Sequence, residues 1–284
     1  MNNTFLNVES NQRNSEYDAT FYGLNFITTD YLEGVQDGAD KVRELSYRYA
    51  NVDGSSFPLK VYNPERGFIL GNIKINDYGN INFKEDVRND REEPKFPVFV
   101  GSDHGATYYI LCEFFKERQI TVLQFDAHGD YTDEYDTYLH GSVMRKVKTL
   151  PNIHKIIHCG LRGNLNTGPG LEQSIEDGNV IITKEELNLK AIEKQLTKEN
   201  LIYVTIDVDF FDPSIAPGTH NIEPGGFYYD EFRKLITKII KTYNVIGVDI
   251  VEYAPNLDYA GITGNLIVNL IMEIIGAQYT KYET

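Results

Sequence analysis

The stretch TVLQFDAHGDYTDEYDTYLHG, residues 121–141, begins with an apolar run that leads directly into polar side chains. The run 121–125 has the composition of a buried β-strand. Asp126, His128 and Asp130 follow it at intervals of two residues. Because every second side chain of an extended chain lies on the same face, we expect two carboxylates and an imidazole to converge. Buried carboxylates are costly unless they are paired or coordinated, so the pattern favours a bound metal ion.

The composition limits the classes of partner. The 284 residues carry 27 basic and 42 acidic side chains, which gives a net charge of −15. This balance argues against a nucleic-acid partner and suits a cationic small molecule or a basic segment of another protein. We find no apolar run of the roughly 18 residues that span a bilayer, and the polar N-terminus lacks the layout of a signal peptide. We therefore expect a cytoplasmic protein without a membrane partner.

Short apolar strands alternate with amphipathic helices along most of the chain. This order predicts an α/β fold in which helices cover both faces of a parallel sheet. We predict a flexible N-terminal arm over residues 1–18 and a single domain over 19–284. The polar segment 73–95 lacks a helical apolar stripe, so we interpret it as an exposed loop.

Four polar clusters fall where predicted strands end. They are residues 101–104, residues 126–130, the pair Asp207 and Asp209, and Glu252. Ligands bind at the carboxyl ends of the strands in such sheets, so the four clusters can form one site. Oxygen-rich ligands with a few imidazoles and no thiolate suit Mn²⁺ better than Zn²⁺. Two histidines and four aspartates exceed the needs of one ion, and we expect two.

As a set, these motifs resemble the ureohydrolase family of arginases and agmatinases. The matching blocks are GSDH (101–104), DAHGD (126–130), HG (140–141), TIDVDFFDPSIAPGT (205–219), EPGG (223–226) and DIVEYAP (249–255). The resemblance implies a three-layer α/β/α sandwich with an eight-stranded parallel sheet, as in arginase, and two Mn²⁺ ions at the strand ends. It also allows a homo-oligomer.

The resemblance assigns roles to individual residues. One ion would be held by His104, Asp126, Asp130 and Asp207. The other would be held by His128, Asp126, Asp207 and Asp209. His140 matches the histidine that shuttles protons, Glu252 matches the glutamate that receives the guanidinium, and Asp130 would also stabilise the tetrahedral intermediate. The implied reaction cleaves a guanidino group to urea and a primary amine.

The substrate tail is less well defined by these blocks. Enzymes that act on free arginine carry an asparagine where this chain has Thr132, and aspartates where it has Gly163, Asn164 and Leu165. Free arginine is therefore disfavoured. We prefer arginine in a peptide, converted to ornithine. Agmatine or another small guanidine, cleaved to urea and its amine, is the alternative. The candidate contacts to the substrate tail are Thr132, Thr219 and His220, and Tyr131, Tyr135 and Tyr138 are candidates to line a groove.

Three other classes of protein share parts of this pattern. A dinuclear phosphoesterase has a longer spacer and a later Gly-Asn-His block, which this chain lacks. A lysine deacetylase of related fold uses one Zn²⁺ and a tandem histidine pair, and the chain has no His-His. The complete ligand set and His140 argue against a non-catalytic binding protein.

Overall fold

Parallel strands form the centre of the molecule. The computed structural model describes residues 4–8, 10, 16–29, 32–50, 61–83, 94–132 and 139–281. Within these residues the strands are β1 Ala19–Leu24, β2 Val61–Asn63, β3 Gly67–Leu70, β4 Ile75–Ile81, β5 Pro97–Gly101, β6 Ile120–Phe125, β7 Ile153–Leu161, β8 Val180–Thr183, β9 Leu201–Asp207 and β10 Asn244–Val251. Eight of them form one sheet in the order β4-β1-β5-β10-β9-β6-β7-β8, with every neighbouring pair parallel. The strands β2 and β3 form a separate antiparallel hairpin.

Helices cover both faces of this sheet. They are α1 Gly38–Ser46, α2 Ala106–Phe114, α3 Leu139–Lys148, α4 Gly168–Glu176, α5 Leu189–Glu193, α6 Tyr229–Thr242 and α7 Ile262–Thr280. Buried side chains of α1, α6 and α7 share one apolar cluster with the sheet. Those of α2 and α3 share a second cluster with the sheet. The predicted α/β sandwich with an eight-stranded parallel sheet is therefore confirmed.

The last helix is unusually apolar. Together with its preceding turn, from Tyr259 to Thr280, it is long and apolar enough to cross a membrane by length and composition alone. Most of this segment is buried inside the domain, and α7 lies against α1 and α6. A helix that is apolar on nearly all sides is expected in the core of a large domain. We interpret α7 as a core helix.

The interpretation of 73–95 as an exposed loop is wrong for its first part, because β4 forms an edge strand of the main sheet there. The reason is a buried ion pair that periodicity does not reveal. Asp77 in β4 is fully buried, and Arg43 of α1 donates to both of its carboxylate oxygens at 2.8 and 2.9 Å. The paired charge makes a polar strand compatible with burial. Residues 84–93 lie outside the described part of the chain.

The prediction of a flexible arm over residues 1–18 also needs correction. Phe5 is fully buried and stacks on Phe21 of β1, with ring centroids 4.8 Å apart. Its backbone N–H donates to Asp77 at 2.6 Å. Leu6 and Val8 are buried as well, and roughly 1.5–3 kcal/mol for each of the three buried side chains offsets much of the entropy cost of ordering the segment. The described residues 4–8 are thus part of the packed domain.

A buried histidine on β7 predicts a pH-dependent stability. His158 lies between Gln124 Oε1 at 2.5 Å and Ser174 Oγ at 2.8 Å, and burial lowers its pKa to about 4 from 6.5. The native state then binds this proton less readily than the unfolded chain. The buried neutral imidazole therefore does not reduce the free energy of unfolding above pH 6.5. As the pH drops toward 4, His158 lowers this free energy, by about 2 kcal/mol at pH 5.

The free energy of unfolding in urea should be lower at pH 5 than at pH 7. We expect His158→Gln to remove the part of this difference that His158 causes. His154→Gln is the matched control, because His154 lies exposed on the same strand. It should keep the wild-type difference. An unchanged pH dependence in the His158 variant would show that other groups cause the loss.

Candidate metal centre and active site

The polar clusters follow the four central strands of the sheet. The strands β5, β10, β9 and β6 are consecutive neighbours, and their carboxyl ends lead into residues 101–104, Glu252, Asp207 with Asp209, and residues 126–130 respectively. The sequence prediction that these clusters meet at one edge of the sheet is therefore confirmed.

The local backbone differs from the extended chain expected at 126–130. The strand β6 ends at Phe125, and Asp130 adopts a left-handed conformation with a φ of 49°. Ser102 and Glu252, at the ends of β5 and β10, also have positive φ values of 67° and 63°. Such conformations cost roughly 1–3 kcal/mol in residues other than glycine and concentrate at functional sites. The side chains converge because strained loops turn them inward.

The first His/Asp cluster surrounds His104. Its Nδ1 lies 3.1 Å from Asp126 Oδ2, 2.8 Å from Asp130 Oδ2 and 3.4 Å from Asp207 Oδ2. One ligand atom from each of these four residues falls within 4.8 Å of the others. Three carboxylates and an imidazole make a donor set suited to a divalent cation such as Mn²⁺.

The second cluster shares Asp126 with the first. His128 Nδ1 lies 2.9 Å from Asp209 Oδ2 and 3.7 Å from Asp126 Oδ1. The ligand atoms of Asp126, His128 and Asp209 also fall within 4.8 Å of one another. Asp207 groups with the first cluster, whereas the resemblance implies that it contacts both ions. The two clusters would hold two ions, and Asp126 would be available to both.

The electrostatics of both clusters fit bound cations. His104 Nδ1 is buried and has no hydrogen-bond partner among the described residues, although three carboxylates surround it. Burial, followed by the charge of Asp209, raises the pKa of Asp126 and the pKa of Asp207. Although burial opposes its charge, hydrogen bonding to Asp209 raises the pKa of His128 to about 11. A metal ion would displace a proton as it binds, and would neutralise acids that otherwise repel each other.

Glu252 lies beside this centre and is 4% exposed. Its Oε1 accepts the backbone N–H of His104 at 2.7 Å. Its Oε2 is buried and has no hydrogen-bond partner among the described residues. Burial, followed by the charges of Asp207 and Asp103, raises the pKa of Glu252 well above its usual range. A planar cation at Oε2 would complete this incomplete set of contacts.

A cleft of about 110 Å³ opens beside the clusters. His128, Asp130 and His140 line it together with loop residues, and burial lowers the pKa of His140. None of the cleft-lining residues in the described part of the chain is Lys or Arg. The full lining is His128, Gly129, Asp130, Tyr131, Thr132, His140, Gly141, Leu165, Asn166, Thr167, Gly170, Leu171 and Asn221.

The structure places the three predicted contacts to the substrate tail differently. Thr132 lines the cleft, and its hydroxyl donates to the Gly141 carbonyl at 3.0 Å. Thr219 is buried, and its Oγ1 has no hydrogen-bond partner among the described residues. His220 is not among the described cleft-lining residues and donates from Nε2 to the Glu33 carbonyl at 2.9 Å. Its position indicates a role in loop structure.

The structure describes one of the three tyrosines that are candidates to line a groove. Tyr131 lines the cleft but is only 2% exposed, and its hydroxyl donates to Asp177 Oδ2 at 2.5 Å. Tyr135 and Tyr138 lie outside the described residues.

Sequence reasoning missed two side chains that support the clusters. Gln124 donates from Nε2 to Asp126 Oδ2 at 2.7 Å. Thr205 Oγ1 lies 2.9 Å from Nε2 of His104 and accepts its proton when Nδ1 binds a metal. Each lies two residues before a metal-ligand candidate on its strand, so the period-two alternation was the signal that could have identified them.

The fold and the two His/Asp clusters define a metal-dependent α/β hydrolase. The chain belongs to the arginase family, whose model matches residues 17–276. It is accordingly a ureohydrolase, a hydrolase that acts on linear amidines.

Individual relatives are distant but cover almost the whole chain. The agmatinase of Bacillus subtilis is 28% identical over 280 residues, which cover 92% of this chain and 91% of that protein. The mitochondrial guanidino acid hydrolase of Homo sapiens is 28% identical over 282 residues, covering 92% and 78% respectively. The proclavaminate amidino hydrolase structure from Streptomyces clavuligerus superposes with a TM-score of 0.80 at 22% identity, covering 97% of this chain and 96% of that chain. The last comparison supports the fold alone.

Proposed function

We propose that this protein hydrolyses agmatine to urea and putrescine. Water adds to the guanidinium carbon, and the bond between that carbon and the alkyl-substituted nitrogen breaks. The observation that carries the reaction is the arrangement of Glu252, which accepts the His104 N–H through Oε1 and whose Oε2 has no hydrogen-bond partner among the described residues. Two Mn²⁺ ions held by the two His/Asp clusters would supply the Lewis acidity that makes water nucleophilic near neutral pH.

The residues of the chain bind and orient the substrate. The Glu252 carboxylate accepts N–H groups of the planar guanidinium and holds its carbon toward the clusters. Asp130 belongs to the His104 cluster and also lines the cleft, so its carboxylate can accept a hydrogen bond from an amino group of the tetrahedral intermediate. The imidazole of His140 lies in the same cleft and can transfer a proton to the departing amine nitrogen.

The charge of the cleft and of the chain favours a cationic substrate tail. No described cleft-lining residue is Lys or Arg, and the chain carries a net charge of −15. A carboxylate tail would find no Lys or Arg to pair with among these residues, whereas the ammonium tail of agmatine is attracted by the acidic surroundings. The name of the Bacillus subtilis relative also describes agmatine as its substrate.

Arginine in a peptide, the preferred substrate from sequence, is now the second candidate. The relatives described above have names that refer to agmatine and to guanidino acids. One observation still favours a peptide. Leu165 lines the cleft and is 63% exposed, and Ile222, next to the cleft-lining Asn221, is 53% exposed. Exposed apolar side chains beside a cleft can contact the flanking residues of a peptide.

Urea release by the Mn²⁺-loaded protein tests both candidates. We would compare agmatine, 4-guanidinobutyrate, free arginine and an arginine peptide capped at both ends. Agmatine and 4-guanidinobutyrate differ mainly in the charge of the tail. We expect kcat/KM for agmatine to exceed that for 4-guanidinobutyrate by about 10- to 100-fold, equivalent to about 1–3 kcal/mol of tail recognition.

Each other outcome contradicts part of the proposal. A preference for 4-guanidinobutyrate would show that the argument from tail charge is wrong. Faster turnover of the capped peptide would establish the second candidate. If no guanidine released urea, the proposed reaction itself would be excluded.

A further inference from the structure

The two metal-binding histidines of the proposed centre have different surroundings on their outer side. Both turn Nδ1 toward the carboxylates. When an ion occupies Nδ1, the single proton of a neutral imidazole must lie on Nε2. A buried N–H group of this kind needs an acceptor, and an acceptor fixes the orientation of the ring.

The acceptor behind His104 is a neutral hydroxyl, whereas the one behind His128 is a carboxylate. His104 Nε2 lies 2.9 Å from Thr205 Oγ1. His128 Nε2 lies 3.5 Å from Glu223 Oε1 and has no hydrogen-bond partner among the described residues. A small rotation of either side chain would bring His128 Nε2 within hydrogen-bond distance of Glu223.

Several contacts hold Glu223 at this position. Arg162 Nη2 donates to the Glu223 carbonyl at 2.9 Å and to the carbonyl of Asp209 at 2.6 Å, so one guanidinium joins the two loops. The Glu223 side chain is 11% exposed and lies against Gly163, where a Cβ atom would overlap its carboxylate. The absence of a side chain at 163 therefore creates the space that the carboxylate occupies.

We propose that Glu223 is a positioning residue of the metal centre, whose carboxylate accepts the Nε2 proton of His128 and so directs Nδ1 toward the ion. This inference rests on the proposed metal centre but does not depend on which guanidine is the substrate. The two ions would then depend on Glu223 to different degrees. Loss of Glu223 should weaken the ion bound by His128, Asp126 and Asp209, and leave the ion at His104 nearly unchanged.

Calorimetric titration of the chelator-stripped protein with Mn²⁺ tests this inference without any measurement of turnover. We expect two binding events in the wild type. In Glu223→Ala we expect one affinity to fall by about 10- to 100-fold and the other to stay within a few fold. Glu223→Gln retains an acceptor oxygen and should recover part of the loss. Glu273→Ala is the matched control, because Glu273 lies on α7, is 8% exposed as a residue like Glu223, and pairs with Arg66 of the turn between β2 and β3.

Unchanged affinities in Glu223→Ala would overturn the proposal. An equal loss in Glu273→Ala would overturn it as well, since the effect would then be one of general stability. If two Mn²⁺ ions bind the wild type but no guanidine is hydrolysed, the proposed function fails while this inference survives.

A second pair of variants displaces the carboxylate without changing Glu223. Gly163→Ala places a methyl group against the carboxylate, and Gly178→Ala is its control. Both glycines have positive φ values, 73° and 82°, so both variants carry a similar backbone strain, but a Cβ at 178 meets no atom within 4 Å. We expect only Gly163→Ala to weaken one Mn²⁺ affinity. Equal Mn²⁺ affinities in the two variants would contradict the proposed contact.

Discussion

Asp126→Asn is expected to abolish Mn²⁺-dependent urea release while leaving the metal-free protein at least as stable as the wild type. Asp126 is the residue that the two His/Asp clusters share, so its loss removes a ligand from both ions. Several kcal/mol of transition-state stabilisation depend on such ions, and we expect urea release to fall on the order of 10³-fold or more. In the absence of metal, the substitution removes one of several mutually repelling carboxylates, whose repulsion opposes folding.

Thermal unfolding with and without Mn²⁺ is the corresponding measurement. For the wild type, saturation at 100 times the Kd should add about 2.7 kcal/mol of stability for each ion. This gain should largely disappear in Asp126→Asn. Asp77→Asn is the reciprocal control, because Asp77 is equally buried but is paired with Arg43 far from the clusters. It should lower the melting temperature and keep the Mn²⁺-dependent gain. A wild-type Mn²⁺ gain in Asp126→Asn would exclude the shared-ligand assignment.

Glu252→Gln is expected to leave both ions bound and to weaken recognition of the guanidinium. Oε1 of Glu252 accepts the His104 N–H, and Oε2 is an acceptor without a hydrogen-bond partner in the described part of the chain. Glutamine removes the charge and can turn an NH₂ group toward the N–H groups of the substrate. Loss of one partner of a buried, hydrogen-bonded charge pair costs about 2–5 kcal/mol. We therefore expect kcat/KM to fall by about 10²- to 10⁴-fold.

Metal content and inhibition by guanidinium chloride separate this effect from loss of the ions. Glu252→Gln should retain the wild-type Mn²⁺ content and bind guanidinium more weakly. Glutamine meets the same positive φ as glutamate at this position, so backbone strain is matched. Glu186→Gln, at an exposed turn, serves as the control for removal of one negative charge. Unchanged inhibition by guanidinium in Glu252→Gln would show that this carboxylate does not receive the substrate.

The outcome of the sequence predictions follows a physical pattern. Apolar strands such as β6 and β10 were recognisable because burial on both faces requires continuous apolar residues. The strand β4 was not, since its polar Asp77 is compatible with burial because its charge is paired with Arg43, a partner 34 positions earlier in the chain. Phe5 was assigned to a loose arm because a polar segment separates it in sequence from Phe21, the residue on whose ring it stacks.

The functional site shows the same division between features recognisable in the sequence and features that depend on distant contacts. The residue types and their order along the chain, from His104 to Glu252, already predicted a metal site, and their resemblance to the ureohydrolase family supplied the class of reaction. Only the tertiary structure decided that Asp207 groups with the His104 cluster, that Thr205 and Glu223 lie behind different histidines, and that His220 is used by a loop. These facts depend on contacts between residues distant in sequence and on strained loop conformations, and neither leaves a periodic pattern in the chain.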